Sequence, residues 1–210
     1  MLGQKKAWAF FLAGSLGAFF LESCATLQDL SQVLTNLRRL EFKLSRVQTF
    51  SLAGIRIGDK SALTDFSARE GIALLRGFQS RRLPAEIVVD ILVRNPNDGT
   101  GGSTRTISTL TGLESRLLIN GNPTVYGNID SPIEIPGTGQ ATTVPVRFSL
   151  DLYEFFGNQG YEGLIETALA IGGFKGSVSR LSLDAQPTVT TPLGVITYPG
   201  RITIVDREFR

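Results

Sequence analysis

Glu86-Ile87-Val88-Val89-Asp90-Ile91-Leu92-Val93-Arg94 is followed directly by Asn95-Pro96-Asn97. Ile87, Val89, Ile91 and Val93 fall on one face of an extended chain, and Glu86, Asp90 and Arg94 fall on the other. A two-residue period of this kind marks a strand with one face in a core. Pro96 has no backbone N–H and biases Asn95 towards extended geometry, so the strand stops there and does not run into a helix. Asn97 and the following Asp98-Gly-Thr-Gly-Gly102 supply turn chemistry.

Outward from this strand the same grammar repeats. Leu40 to Ile57 alternates as a first strand, bent or bulged at Gly54. Ser67 and Glu70 form a capping-box pair, Ile72 and Leu75 offer an apolar face, and Gly77 supplies a stop, which predicts a helix between the first two strands. Arg105 to Asn120 is strand-like, and Asn120-Gly121 is a two-residue hairpin signal returning through Val125 to Asp130. Ser131 to Gly139 is a turn-rich connector into Thr142 to Asp151, where Pro145 points to an edge strand. Tyr161, Leu164, Ile165, Ala168 and Leu169 predict a second helix closed by Gly172-Gly173. Leu181 to Ala185 and Val195 to Val205 are the last strands. The expected fold is mainly β: an immunoglobulin- or fibronectin III-like β-sandwich of about seven strands with one or two inserted or flanking helices.

Composition excludes more chemistry than any motif suggests. The 210 residues carry a formal charge of +2, with dispersed cations, so nothing indicates nucleic-acid binding. Histidine, the commonest general base and metal ligand, is absent, and there is a single cysteine. Lys43, Lys60 and Lys175 read as solvated charges and not as the buried lysine of a Ser–Lys pair. Glu134, Asp151 and Glu154 are the acids available for two-carboxylate chemistry, but their spacing does not favour it. Gly58-Asp59-Lys60-Ser61 lacks the upstream glycine of a phosphate loop. Asp98 to Gly102 has one acid where a calcium loop needs several. No enzyme activity, cofactor or metal is expected.

The amino terminus speaks to location. Lys5 and Lys6 precede an uncharged apolar run, Ala7 to Phe20, too short to span a bilayer comfortably and of signal-peptide form. Leu21-Glu22-Ser23-Cys24 resembles the bacterial lipobox, with Glu22 where a small uncharged residue is usual. That resemblance implies a signal peptide over 1–23 and a lipid-attachment site at Cys24. Two or three acyl chains, at roughly 0.8 kcal/mol per buried methylene, hold a protein at a membrane essentially permanently. Ala25 follows in place of an inner-membrane retention aspartate, so the expected location is the cell envelope, lipid-anchored to the outer membrane and facing the periplasm of a Gram-negative bacterium. Residues 24–39, with Leu27, Leu30, Leu34 and Leu37, form a tether or short amphipathic helix, and 40–206 form the domain.

The ordered set of motifs in that domain resembles a known family. A strand ending in Val93-Arg-Asn-Pro-Asn97 is followed by a hairpin at Ile119-Asn-Gly121. An Ile135-Pro-Gly137 connector leads into Val144-Pro-Val146, then a helix, then Thr191-Pro-Leu-Gly194 and a closing Gly200-Arg-Ile-Thr-Ile204. Over Leu40 to Val205 this resembles the late embryogenesis abundant (LEA) type 2 family, or water stress and hypersensitive response (WHy) domain. The resemblance implies a two-sheet sandwich, a link to desiccation, cold and salt stress, and no catalysis. Asn95, Pro96 and Asn97 are the family motif. Their amides are read as satisfying backbone groups at the turn, in preference to surface recognition.

Two other functions remain open on sequence. One is a module binding a lipid or other hydrophobic ligand in a cleft, and the other is a structural adaptor docking an envelope partner or protein client through an edge strand. Exposure of Phe155 and Phe156 would favour these, and burial would favour the protective scaffold.

Overall fold

The structure is a computed structural model and describes residues 40–100, 105–191, 194–207 and 209. The expected signal peptide 1–23, Cys24 and the 24–39 tether lie outside the described residues. The described chain is mainly β, in two antiparallel sheets with helices gathered at one end.

Strand β1 (Glu41–Leu52) turns through Ala53-Gly54 into the two-residue β2 (Ile55–Arg56). Both turn residues have positive φ, 49° and 78°. Gly54 is therefore the second residue of a tight hairpin, not the bend in one long strand that its position suggested. The irregularities of β1 fall instead between Leu44 and Arg46 and between Val47 and Thr49, where its register against the central strand slips. Each slip lets outward and inward residues be reset, so that Phe42, Leu44, Phe50 and Leu52 all reach the core.

The central strand, β3 (Pro84–Arg94), pairs with β1 on one side and β7 (Ala141–Asp151) on the other. Ile87, Val89, Ile91 and Val93 are fully buried, as the two-residue period requires. Sheet order is β2-β1-β3-β7, which leaves Pro145 in an edge strand. The second sheet contains β4 (Ser108–Ile119), β5 (Asn122–Gly127) and β8 (Leu181–Thr191), with the short strands β6 (Ile133–Ile135), β9 (Gly194–Thr197) and β10 (Ile202–Ile204). Its order is β10-β8-β4-β5, with β6 on β4 and β9 on β8. Asn120 and Gly121, at φ 52° and 78°, form the anticipated hairpin.

Ten strands therefore replace the expected seven among the described residues. The turn-rich connector contains β6, and the last strand is broken around Pro199-Gly200 into β9 and β10, both laid along β8. The sheets approach each other at both margins. The Leu44 N–H donates to Val205 O at 2.9 Å, and the Arg147 N–H donates to Asn128 O at 3.2 Å.

Helices α1 (Ala68–Gln79), α2 (Leu152–Phe156) and α3 (Gly160–Gly172) close the end at which β3 begins. Phe78 packs edge-on against Tyr153 and Tyr161, with centroids 5.2 and 5.7 Å away. Leu164, Ile165, Ala168 and Leu169 bury the predicted face of α3. Two expectations for α1 fail. It continues past Gly77, whose missing Cβ admits Leu83 (a Cβ would sit 2.7 Å from Leu83 Cδ2), and it ends at Ser80 before Arg81 takes a φ of 57°. Its packed side is set by Leu74 and Phe78, and Ile72 and Leu75 stay 52% and 42% exposed.

Candidate functional site

Opposite the helices, β3 leaves its sheet at Arg94 and enters Asn95-Pro96-Asn97. Both asparagines are fully buried. The Asn95 Nδ2 donates to Thr106 O at 2.9 Å and Ile135 O at 3.2 Å. Its Oδ1 accepts from the Asn97 N–H at 3.1 Å and from Asn97 Nδ2 at 2.9 Å. The main chain completes the knot: Gly139 N–H donates to Asn95 O at 3.1 Å, and Thr106 N–H donates to Asn97 O at 3.2 Å. One carboxamide thus ties together the end of β3, the approach to β4 and the connector from β6 to β7. Gly137 must lack a side chain here, because a Cβ would lie against Asn97 O and 2.5 Å from Thr106 O. The Asn95 amide is spent on two backbone carbonyls and on Asn97, which fixes the turn.

Of the acids considered for catalysis, Asp151 and Glu154 fall at the start of α2, as its N-cap and in its first turn, and Glu134 lies on β6. Asp151 caps α2, its Oδ1 accepting from Tyr153 N–H at 3.0 Å and Leu83 N–H at 2.9 Å. Glu134 sits on β6 at the asparagine end, with the eleven residues of β7 between them. Asp98 accepts from the Thr100 hydroxyl and N–H at 2.6 and 2.9 Å, and those bonds hold its carboxyl below the usual range. Among the described residues no group of three or more acids is placed to share a metal ion, and no helix is long and apolar enough to cross a membrane.

Lys60 is not the solvated charge expected. Its side chain is 16% exposed, donates to Glu70 Oε2 at 3.0 Å and Asp65 O at 3.1 Å, and lies 5.3 Å from the Phe66 ring centroid. Glu70 also accepts from the Ser67 N–H, the largest influence on it, and its pKa is lowered to about 2. Burial alone pushes the Tyr161 hydroxyl up.

Sequence periodicity placed Asp90 on the solvent face, yet it is buried. Its Oδ2 accepts from Arg46 Nε at 2.8 Å, and its Oδ1 has no partner among the described residues. The adjoining arginines are engaged in the same way. Arg147 bridges Glu86 and Asp130, and Arg94 Nε donates to Glu41 at 2.7 Å. On the second sheet Arg201 donates to Glu114 at 2.9 Å and pairs with Asp184 at 3.1 Å, while Arg116 reaches Asp184 at 2.8 Å. These carboxylates raise the already high pKa of Arg147, Asp130 most, and of Arg201, Glu114 most. The pairs join residues 17 to 87 positions apart in sequence. Strand alternation reveals which charges face outward, but only register decides which of them meet.

The clefts are shallow. A cleft of about 490 Å³ beside the Asn120 turn is bounded by Asn120, Arg180, Ser182, Asp206 and Arg207, and one of about 560 Å³ lies along Ser51, Arg82, Glu86 and Leu150. Phe156 is buried and Phe155 half-buried, so they form no open aromatic patch.

No family model and no curated protein matches this chain. Among solved structures, a crystal structure of a protein from Archaeoglobus fulgidus aligns with 60% of this chain and 82% of its own, at 18% identity and a TM-score of 0.32.

Proposed function

We propose that this chain is a non-catalytic, membrane-anchored scaffold of the LEA type 2 (WHy-domain) kind. In this reading it is an immunoglobulin- or fibronectin III-like sandwich held by lipid on Cys24 at the periplasmic face of an outer membrane, where it protects membrane or client proteins during water stress. The observation that carries the reading is the commitment of polar side chains to one another. Asn95 is consumed by the loop knot, and the sheet-face acids Glu41, Glu86, Asp90, Asp130, Glu114 and Asp184 are held by arginines. Sheet faces whose charges are held in pairs suit a protein that must keep its shape as water is withdrawn, and the acids in those pairs are not poised for turnover.

The ligand-cleft alternative has less support, because Phe42, Phe50 and Phe148 are fully buried and fill the interior with side chains. Adaptor docking on the β7 edge is opposed by Asn128, which already accepts the Arg147 N–H there.

Two measurements in cells test the proposal. Labelled palmitate enters the wild-type chain and not Cys24→Ala. Cells lacking the protein lose more envelope integrity on drying and rehydration than cells carrying it, and Cys24→Ala does not restore survival. Equal survival with and without the protein would overturn the protective role, and palmitate-free wild type would overturn the anchor.

A further inference from the structure

Helix α1 carries apolar residues on two faces, and only one is packed. At about 100° per residue, Leu74 and Phe78 share the side turned to Tyr153 and Tyr161. Ala68, Ile72, Leu75 and Gln79 make a second stripe, and all four are exposed. Arg69 and Arg76 flank that stripe one turn-pair apart, and Arg81 and Arg82 follow in the turn to β3, all exposed.

These arginines differ from those on the sheets. Arg46, Arg94, Arg116, Arg147 and Arg201 each hold a carboxylate. Among the described residues, Arg69, Arg76, Arg81 and Arg82 have no acid within ion-pair distance. The helix and turn thus present unneutralised cations beside an open aliphatic ridge. The neighbouring α3 exposes Glu162 and Glu166 and is disfavoured at a surface attractive to those cations.

From this juxtaposition we infer that the Ile72–Leu75 face of α1 docks flat on an anionic phospholipid surface, the aliphatic side chains entering the headgroup boundary and the arginines meeting phosphates. This rests on the reading of the chain as a membrane protein of the envelope, and it adds a second contact to that of the lipid. The chemistry favours lipid over a protein partner. Two exposed aliphatic side chains without an aromatic anchor are far from the roughly 20–30 residues a side of a specific protein interface. An interfacial helix needs only a shallow apolar ridge with a cationic flank, and long arginine side chains reach phosphates while their stems stay on the apolar surface.

The test uses the full chain with Cys24→Ser and an environment-sensitive nitrobenzoxadiazole label on Leu75→Cys. It is reconstituted with phosphatidylcholine vesicles containing or lacking phosphatidylglycerol. The expected result is a blue-shifted emission at position 75 that spin-labelled lipid quenches, present only with phosphatidylglycerol and weakened by salt. Each cation near an anionic surface contributes roughly fivefold in affinity, so R69E/R76E weakens this docking more than tenfold. A label on Thr49→Cys, on an exposed site of β1, stays in water. Emission at position 75 that stays water-like on vesicle-bound protein overturns the inference, as does an equal shift without phosphatidylglycerol. A shift that needs no vesicles and grows with protein concentration assigns the face to a second copy and also overturns it. The vesicles carry out the assay without acylation, so its failure is distinct from failure of palmitate to label Cys24.

Discussion

Removing the Asn95 carboxamide leaves two carbonyls, Thr106 O and Ile135 O, without this donor at the end of the domain opposite the helices. Each buried polar group stripped of its partner costs about 1–3 kcal/mol. Asn95→Ala is therefore expected to destabilise by roughly 2–5 kcal/mol, and Asn95→Asp, which would aim an anion at the same carbonyls, by no less. Urea unfolding reads this as a lowered midpoint at an unchanged slope. Asp90 makes a second residue-scale case. Arg46→Met strands a buried carboxylate that already has one unmatched oxygen, at an expected cost of about 1–3 kcal/mol. Arg46→Met with Asp90→Leu should recover most of that loss, since a buried ion pair replaced by apolar side chains is often neutral. A double-mutant cycle with no recovery would mean that Arg46 acts by its stem alone. The central alternation was legible in the sequence because hydrophobic period reports which face is buried. The burial of Asp90 was not, because whether an outward residue is covered depends on neighbours from β1 and β7 that only the register brings beside it.

At the element scale, the capping of α1 depends on protonation. The Ser67 N–H, Lys60 and the Ser67 hydroxyl hold Glu70 at about 2, well below its ordinary 4.5. A lowered acid pKa gives stability that is complete above the unfolded value and disappears as pH falls through the folded one. The melting temperature of wild type should therefore exceed that of Glu70→Gln at neutral pH, and the gap should close between about pH 4.5 and pH 2. A gap unchanged over that range would show that the ionised carboxylate contributes nothing.

Close approach gives another test at this scale. A Cβ on Gly127 would meet Arg147 O and lie 2.5 Å from Phe148 Cδ1, where the two sheets touch. Gly127→Ala should cost about 3 kcal/mol or more, as overpacking at a site that cannot yield. Gly54→Ala, open in space but at φ 78°, should cost only about 1–2 kcal/mol, the left-handed penalty. Caps and hairpins were readable because Ser67 with Glu70, and Asn120 with Gly121, act within a few residues of themselves. The orientation of α1 was misread for the opposite reason. Ile72 with Leu75 and Leu74 with Phe78 are equally good apolar spacings, and what selects between them is the aromatic pair Tyr153 and Tyr161, contributed from far along the chain.

For the whole molecule, two antiparallel sheets joined at both margins, a loop knot at one end and three helices at the other make a body whose polar groups are largely matched within itself. One exception among the described residues is the cationic, aliphatic outer face of α1, and the membrane reading uses it. The proposed lipid-attachment site, Cys24, concerns covalent chemistry and not the packing of the domain. Intact mass spectrometry of the protein extracted from envelope membranes tests it most directly. A mature chain beginning at Cys24, heavier by a diacylglyceryl group and an amide-linked acyl chain, is the predicted result. A chain that retains residues 1–23, or one whose Cys24 thiol is free, would contradict the account.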